Sequence, residues 1–185
     1  MITVFRDPVE KELKMIRFAL RAHGSEDFTE KYRLIVVERG GVREVYALSP
    51  ELYELTKRGE DIFRKMSIIS IGLKIGEVGK RFRFTLEGAF FIAKKKKKRV
   101  YVNSKGEMLF LYGRDVFSGS VMKATEDIRE NDLVFVCNTH GDILGLGRSR
   151  YDGDRLRSVE EDRVAVENLV DRGEYLRKEK IYRSF

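Results

Sequence analysis

The sequence predicts an α+β protein of two domains: an N-terminal antiparallel sheet with flanking helices over residues 1–93, and a small C-terminal β-barrel over residues 99–185. Three observations carry this. The first half alternates helix-like and strand-like segments of ordinary length. The second half consists of short apolar runs separated by Gly/Asn/Asp turns, the pattern of a small barrel. Between them stands "AFFIAKKKKKRVYV", in which five lysines and an arginine mark a change of grammar and a basic junction at residues 94–98.

In the first half, "DPVEKELKMIRFALRAHG" places Val9, Leu13, Ile16 and Leu20 on one helical stripe, with Asp7 as N-cap, Pro8 in the first turn and Gly24 as the stop. "YRLIVVERGGVREVYAL" reads as two strands around a tight turn at Arg39-Gly40-Gly41. "SPELYELTKRGEDIFRKM" is a helix capped by Ser49, with Pro50 at its first position and Gly59 breaking it. "SIISIGLKIGEV" and "KRFRFTL" read as strands whose glycines relieve crowding in a bent or bulged segment, and "LEGAFFIA" as a short apolar helix. In the second half, "RVYV", "EMLFL", "SVMKA", "DLVFVCN" and "DILGLGRSR" read as strands, with "YGRDVF" as a short helical interruption.

The chain has 185 residues and a net charge of +7. Residues 1–93 contribute +3, residues 94–99 contribute +6 and residues 100–185 contribute −2, so the basic excess is local. There is no glutamine and there are four asparagines beside many Lys, Arg and Glu, the bias of hyperthermophile proteins, and an archaeal source is expected. No apolar run approaches the roughly 20 residues of a membrane span. The start "MITVFRDPVEKELK" lacks the core and cleavage site of a signal peptide, so a reducing, cytoplasmic location is expected.

Catalytic chemistry finds little support. His23, His140 and Cys137 are too few for a zinc site, and Cys137, ending an apolar strand, reads as a buried structural thiol. "FSGSV" has the wrong spacing for a serine elbow. Gly72, Gly76 and Gly79 fit neither a dinucleotide nor a phosphate-loop pattern. No enzyme activity, cofactor or metal is expected.

From Arg99 onward the chain resembles the PUA domain, named for pseudouridine synthases and the archaeosine transglycosylase. The resemblance lies in the opening strand Arg99 to Val102, "YGRDVFSGSV", "IRENDLVFV" and "GDILGLGRS". With the segments "SIISIGLKIGEVGKRFRFTLEGAFFIA", "MLFLYGRDVFSGSV" and "AVENLVDRGEYLRKEK", the whole is similar to the Nip-seven family of ribosome-biogenesis proteins. That resemblance implies an RNA-binding factor in large-subunit assembly and rRNA processing. RNA, in single-stranded ribosomal regions, would meet the PUA domain, and other ribosome-biogenesis or RNA-processing proteins would meet the first domain of a monomer. The alternative is an RNA-targeting subunit of a tRNA-modification enzyme of the archaeosine type; a third reading is a protein scaffold with no RNA affinity.

Candidate RNA contacts are the cations of the junction and of the PUA-like half. Lys95, Lys97 and Arg99 would form a ridge if the lysines alternate along an extended chain; the bland alternative is a solvated run. Arg114 lies beside a glycine turn, although a simple ion pair with Asp115 would account for it equally. Lys123 sits on the next strand. Arg148 and Arg150 alternate along one strand face, and Arg155 and Arg157 continue the parity, unless Asp152 and Asp154 neutralise that loop. Tyr151 could stack on an unpaired base, whereas Tyr112 and Phe117 are expected to pack in the core or junction.

Overall fold

The structure, a computed structural model, describes residues 4–59, 70–93 and 96–178. The chain divides into two compact units, Met1–Lys95 and Lys96–Phe185.

In the first unit the elements run β1 (Val4–Arg6), α1 (Glu10–Ala22), α2 (Phe28–Lys31), β2 (Arg33–Arg39), β3 (Val42–Leu48), α3 (Pro50–Arg58), β4 (Leu73–Val78), β5 (Phe82–Phe84) and α4 (Leu86–Ile92). The strands form one antiparallel sheet in sequence order, β1-β2-β3-β4-β5. Its centre is the β2–β3 hairpin, with Arg39 opposite Val42. Gly40 and Gly41 between them have φ of 54° and 80°, the left-handed pair that a two-residue hairpin turn requires. Ile35, Val37, Tyr46 and Leu48 pack together on one face. Leu34, Val36, Val45 and Ala47, of opposite parity, are buried as well, so both faces of this hairpin are covered.

Gly76, the one glycine of β4, is explained by close approach. The β3–β4 register shifts at Val45/Tyr46, and a Cβ on Gly76 would lie 2.2 Å from the Arg83 carbonyl oxygen. Thr85 caps α4 by accepting the Gly88 amide, and Ser25 ties the far end by donating to the Ile92 carbonyl, 2.8 Å. Helix α3 is capped as its sequence predicts, Ser49 Oγ accepting from Leu52 with Pro50 at the first position. The expected continuation of that helix past Gly59, and the start of the "SIISIG" strand, fall on residues 60–69 and lie outside the described residues.

Helix α1 departs from expectation at its start. Asp7 is not its cap; its carboxylate binds Tyr53 Oη and Lys57 Nζ instead. The Val9 amide is satisfied by Glu12, 2.9 Å, which reaches back from the third helical position. The buried stripe is therefore Glu12, Ile16 and Leu20, with Leu13 half-buried and Val9 exposed. Glu12 can be buried because Arg6 holds both its oxygens, at 2.7 and 2.8 Å, and Arg43 adds a third bond at 3.1 Å.

The second unit runs β6 (Arg99–Val102), α5 (Ser104–Leu111), β7 (Val116–Phe117), a 3-10 turn (Ser118–Ser120), β8 (Val121–Ala124), β9 (Leu133–Cys137), β10 (Ile143–Ser149), β11 (Val164–Asp171) and α6 (Gly173–Lys178). The strand order is β7-β11-β10-β9-β6-β8. Every pairing is antiparallel except β6–β9, where Arg99 meets Phe135 in parallel. The two end strands β7 and β8 are joined through the short turn at 118–120, which brings the sheet close to a closed barrel. Its core is Val100, Val102, Phe110, Val116, Val121, Ile128, Val134, Val136, Leu144, Leu156, Ala165 and Val166.

Two expectations are corrected here. "EMLFL" is helix, not strand: the Asn103 side chain accepts the Gly106 amide at 2.9 Å and starts α5. "YGRDVF" is not a helix but the end of one. Gly113 at φ 82° turns the chain out of α5, and Val116 and Phe117 pair with β11. Cys137 is fully buried, and loss of solvent pushes its thiol pKa up to about 11 despite the neighbouring Arg99, as suits an inert structural cysteine. Among the described residues no cluster of His, Cys, Asp and Glu could hold a metal ion, and no helix is long and apolar enough to cross a membrane.

Candidate nucleic-acid interface

The cations proposed from sequence fall into three groups. The first lies on β10 and the loop that joins it to β11. Arg148 and Arg150 are both about half exposed, and the buried Ser149 between them confirms that they share the outer face. Glu167 on β11 stands directly opposite Arg148. Its carboxylate lies 3.9 Å from the Arg148 guanidinium and 3.0 Å from that of Arg150, so one acid is shared by two arginines and a net positive charge is left. Arg155 and Arg157 are exposed too, but the parity expected of them does not exist. The strand ends at Ser149, and residues 154–157 form a turn in which the Asp152 backbone carbonyl accepts the Arg155 and Leu156 amides. The Asp152 carboxylate accepts the Glu130 amide, 2.8 Å. The Arg155 guanidinium lies over the Tyr151 ring, 5.7 Å from its centroid, while the ring packs against the core. Tyr151 is thus half-buried and already covered, which argues against the base-stacking role expected for it.

The second group is the turn after α5. Arg114 is exposed, and among the described residues it makes no ion pair with Asp115, whose carboxylate accepts the Asn168 amide at 2.8 Å. The Asn168 side chain in turn donates to the Arg114 carbonyl, so the turn is tied to β11 one residue beyond Glu167. This holds the turn that carries Arg114 against β11, the strand that pairs with Arg148. Tyr112 and Phe117, expected in the core or junction, are 70% and 39% exposed. Tyr112 therefore supplies beside Arg114 the free aromatic that Tyr151 does not. Sequence reasoning missed it because an aromatic beside a Gly reads as packing; recognising Gly113 as a helix stop would have turned it outward.

The third group is dispersed. Lys123 is exposed on β8, opposite Tyr101 and at the other end of the strand order from β7. Lys95 lies outside the described residues, and Lys97 is exposed. Arg99 must be corrected: it is 9% exposed, and its guanidinium points inward to the Gly141 carbonyl beside Cys137. Lys98 is bound as well, through Asp132 and the Asp127 carbonyl, with its own amide on the Asp127 carboxylate. The continuous ridge through Arg99 is therefore not formed, because the barrel takes up its last two cations as structure.

A two-domain protein that ends in a PUA-type barrel is what this fold defines. The described architecture superposes on a conserved PUA domain protein from Thermoplasma acidophilum with a TM-score of 0.63, at 15% identity, over 94% of this chain and 97% of that one. A PUA-domain structure from Aeropyrum pernix gives 0.63 at 14% identity, over 94% and 89%.

The chain belongs to the NIP7/UPF0113 family. The family's pre-PUA domain model matches residues 5–87, and the UPF0113 PUA domain model matches residues 98–180. A UPF0113 protein of Archaeoglobus fulgidus is 54% identical over 98% of this chain and 99% of its own length. The 60S ribosome subunit biogenesis protein NIP7 of Saccharomyces cerevisiae is 31% identical over 61% of this chain and 64% of its own.

Proposed function

We propose that this protein is a non-enzymatic, cytoplasmic RNA-binding factor of large ribosomal subunit assembly. The second unit would bind single-stranded ribosomal RNA and the first unit assembly proteins. The observation that carries the RNA reading is the exposed pair Arg148 and Arg150 on either side of the buried Ser149, with the exposed Tyr112 and Arg114 in a turn tied to β11. Planar guanidiniums suit phosphates and bases, and an aromatic ring suits an unstacked base. Membership of a family whose yeast relative is named for 60S subunit biogenesis supports the assembly role. For protein partners the first unit offers the exposed side chains of Phe90 and Phe91 on α4 and Leu55 on α3.

The test is fluorescence anisotropy with a single-stranded ribosomal RNA fragment and a folded tRNA, each across a salt series. Changing Arg148 and Arg150 together to alanine is expected to weaken single-strand binding at least ~10-fold at about 0.1 M salt. The slope of log affinity against log salt should fall by about 1.4, for two lost phosphate contacts. Unchanged binding would sink the assignment, and a wild-type preference for folded tRNA would favour a tRNA-modification role. Glu167→Gln should act in the opposite direction. Freeing both guanidiniums from their shared carboxylate is expected to tighten binding several-fold and to steepen the salt dependence.

A further inference from the structure

The most exposed large apolar side chain among the described residues is not in the PUA-type unit. It is Phe18, in the middle of α1, at 79%. Helix α1 turns Glu12, Ile16 and Leu20 inward, so its opposite side faces solvent along its whole length. On that side stand Lys11, Lys14, Arg17 and Arg21, all exposed, with Phe18 among them. Lys14 lies one turn before the ring, Arg17 beside it and Arg21 one turn after it. Successive cations from Lys14 to Arg21 therefore rise by roughly 4.5 to 6 Å along the axis. Among the described residues, the only acid on this face is Glu10, 3.7 Å from Lys14. Among the described residues, Lys11, Arg17 and Arg21 form no ion pair.

Folding alone gives no reason for this arrangement. Like charges three and four residues apart oppose the helix that carries them, and the Phe18 ring is left in water. A ligand that neutralises the cations and covers the ring would relieve both. We propose that the outward face of α1 is a second RNA-binding surface, in which Lys14, Arg17 and Arg21 take successive phosphates of a single strand and Phe18 stacks on one of its bases. This rests on the RNA-binding reading above but puts a contact in the other unit.

A single strand fits better than the other polyanions. A membrane-surface helix needs a broad apolar face, and here that face is buried against the protein, leaving one ring outside. An acidic peptide would satisfy the charges and offer the ring no flat partner. A nucleotide supplies both, and stacking on a ring is tolerant of base identity.

The experiment uses the full chain and a fluorescein-labelled oligouridine over a salt series, with Phe18→Ala, the pair Arg17→Ala and Arg21→Ala, and the pair Arg148→Ala and Arg150→Ala. Because the α1 side chains are exposed, their variants should melt as the wild type does. Phe18→Ala is expected to weaken binding at least ~5-fold with the salt slope unchanged, as lost stacking would. The α1 arginine pair should weaken it about 10-fold or more and lower the slope by about 1.4. Wild-type binding by both α1 variants, with weak binding by Arg148→Ala/Arg150→Ala, would overturn the α1 surface and leave the PUA reading standing. The reverse would uphold α1 and remove the PUA assignment; no binding by the wild type would remove both. Loss of binding to polyglutamate or to phosphatidylserine vesicles, with oligouridine binding unchanged, would also overturn it, pointing to an acidic partner or a membrane.

Discussion

Changing Glu12 to alanine is expected to destabilise the first unit by roughly 3 kcal/mol, an effect out of proportion to one carboxylate. The side chain is 1% exposed, and it satisfies three groups at once: the paired donors of Arg6, the guanidinium of Arg43 and the otherwise orphaned Val9 amide at the start of α1. The Arg6 hydrogen bonds chiefly, with the Val9 amide and the charge of Arg43, overcome the desolvation cost and hold the Glu12 pKa at about 2 instead of 4.5. A carboxylate with a depressed folded pKa contributes stability that is complete above its unfolded value and is lost as pH falls through the folded one. The contribution should therefore be full at neutral pH and disappear between about pH 4.5 and pH 2. Glu12→Gln, which keeps the shape and removes the charge, should be destabilised at pH 7 and should lack that segment of the pH profile. Urea titrations at a series of pH values read both outcomes; a glutamine variant as stable as the wild type at pH 7 would show that the network is inert.

Gly88→Ala should go against the usual sign. In an exposed helix interior, alanine is worth about 1 kcal/mol over glycine. Here a Cβ at Gly88 would stand 2.2 Å from the Ile75 carbonyl oxygen and 2.5 Å from its Cα, and backbone in a central strand does not yield as a flexible side chain does. Helix α4 would have to lift from β4, loosening the buried Leu86, Ala89 and Ile92. A loss of about 3 kcal/mol is expected, near the upper end for overpacking. Gly79, where an added Cβ meets nothing closer than 3.8 Å, serves as the control and should change little in the same denaturation experiment.

The parts of the fold that could be read from sequence are those fixed by local chemistry. The Gly40-Gly41 turn, the Ser49-Pro50 helix start and the apolar run of α4 each need only their own neighbours. The misreadings arose where a partner distant in sequence decides. Asp7 looked like a cap until Tyr53 and Lys57 claimed it, and the burial of Glu12 depends in part on Arg43 from β3. The segment Glu107–Leu111 is apolar enough for strand or helix, and the Asn103 cap settles it. The candidate site divided on the same line. Strand alternation placed Arg148 and Arg150 on one face, because the bonding to β11 runs one residue past the strand's end, the Arg150 amide donating to the Ala165 carbonyl. The same rule failed for Arg155 and Arg157, where the chain had already turned at Asp152. Charge type could not show that Arg99 is buried, since that depends on the parallel partner strand β9. The basic face of α1 was hidden by a net-charge sum over residues 1–93, which averages an exposed row of cations with acids that stand elsewhere.

The position of β6 bears on how the second unit assembles. It is the first strand of that unit to be synthesised, yet it lies inside the sheet, between β9 and β8, and not at an edge. Arg99 must wait for Phe135, and Lys98 gives its carbonyl to the amide of the same residue. The entry strand therefore pairs first with β8 and keeps its other edge open until the chain has been made through β9. Such non-local pairing slows folding. It also makes the unit indivisible at its start: a fragment begun after Val102 would lack an interior strand and leave two raw edges, on β9 and on β8.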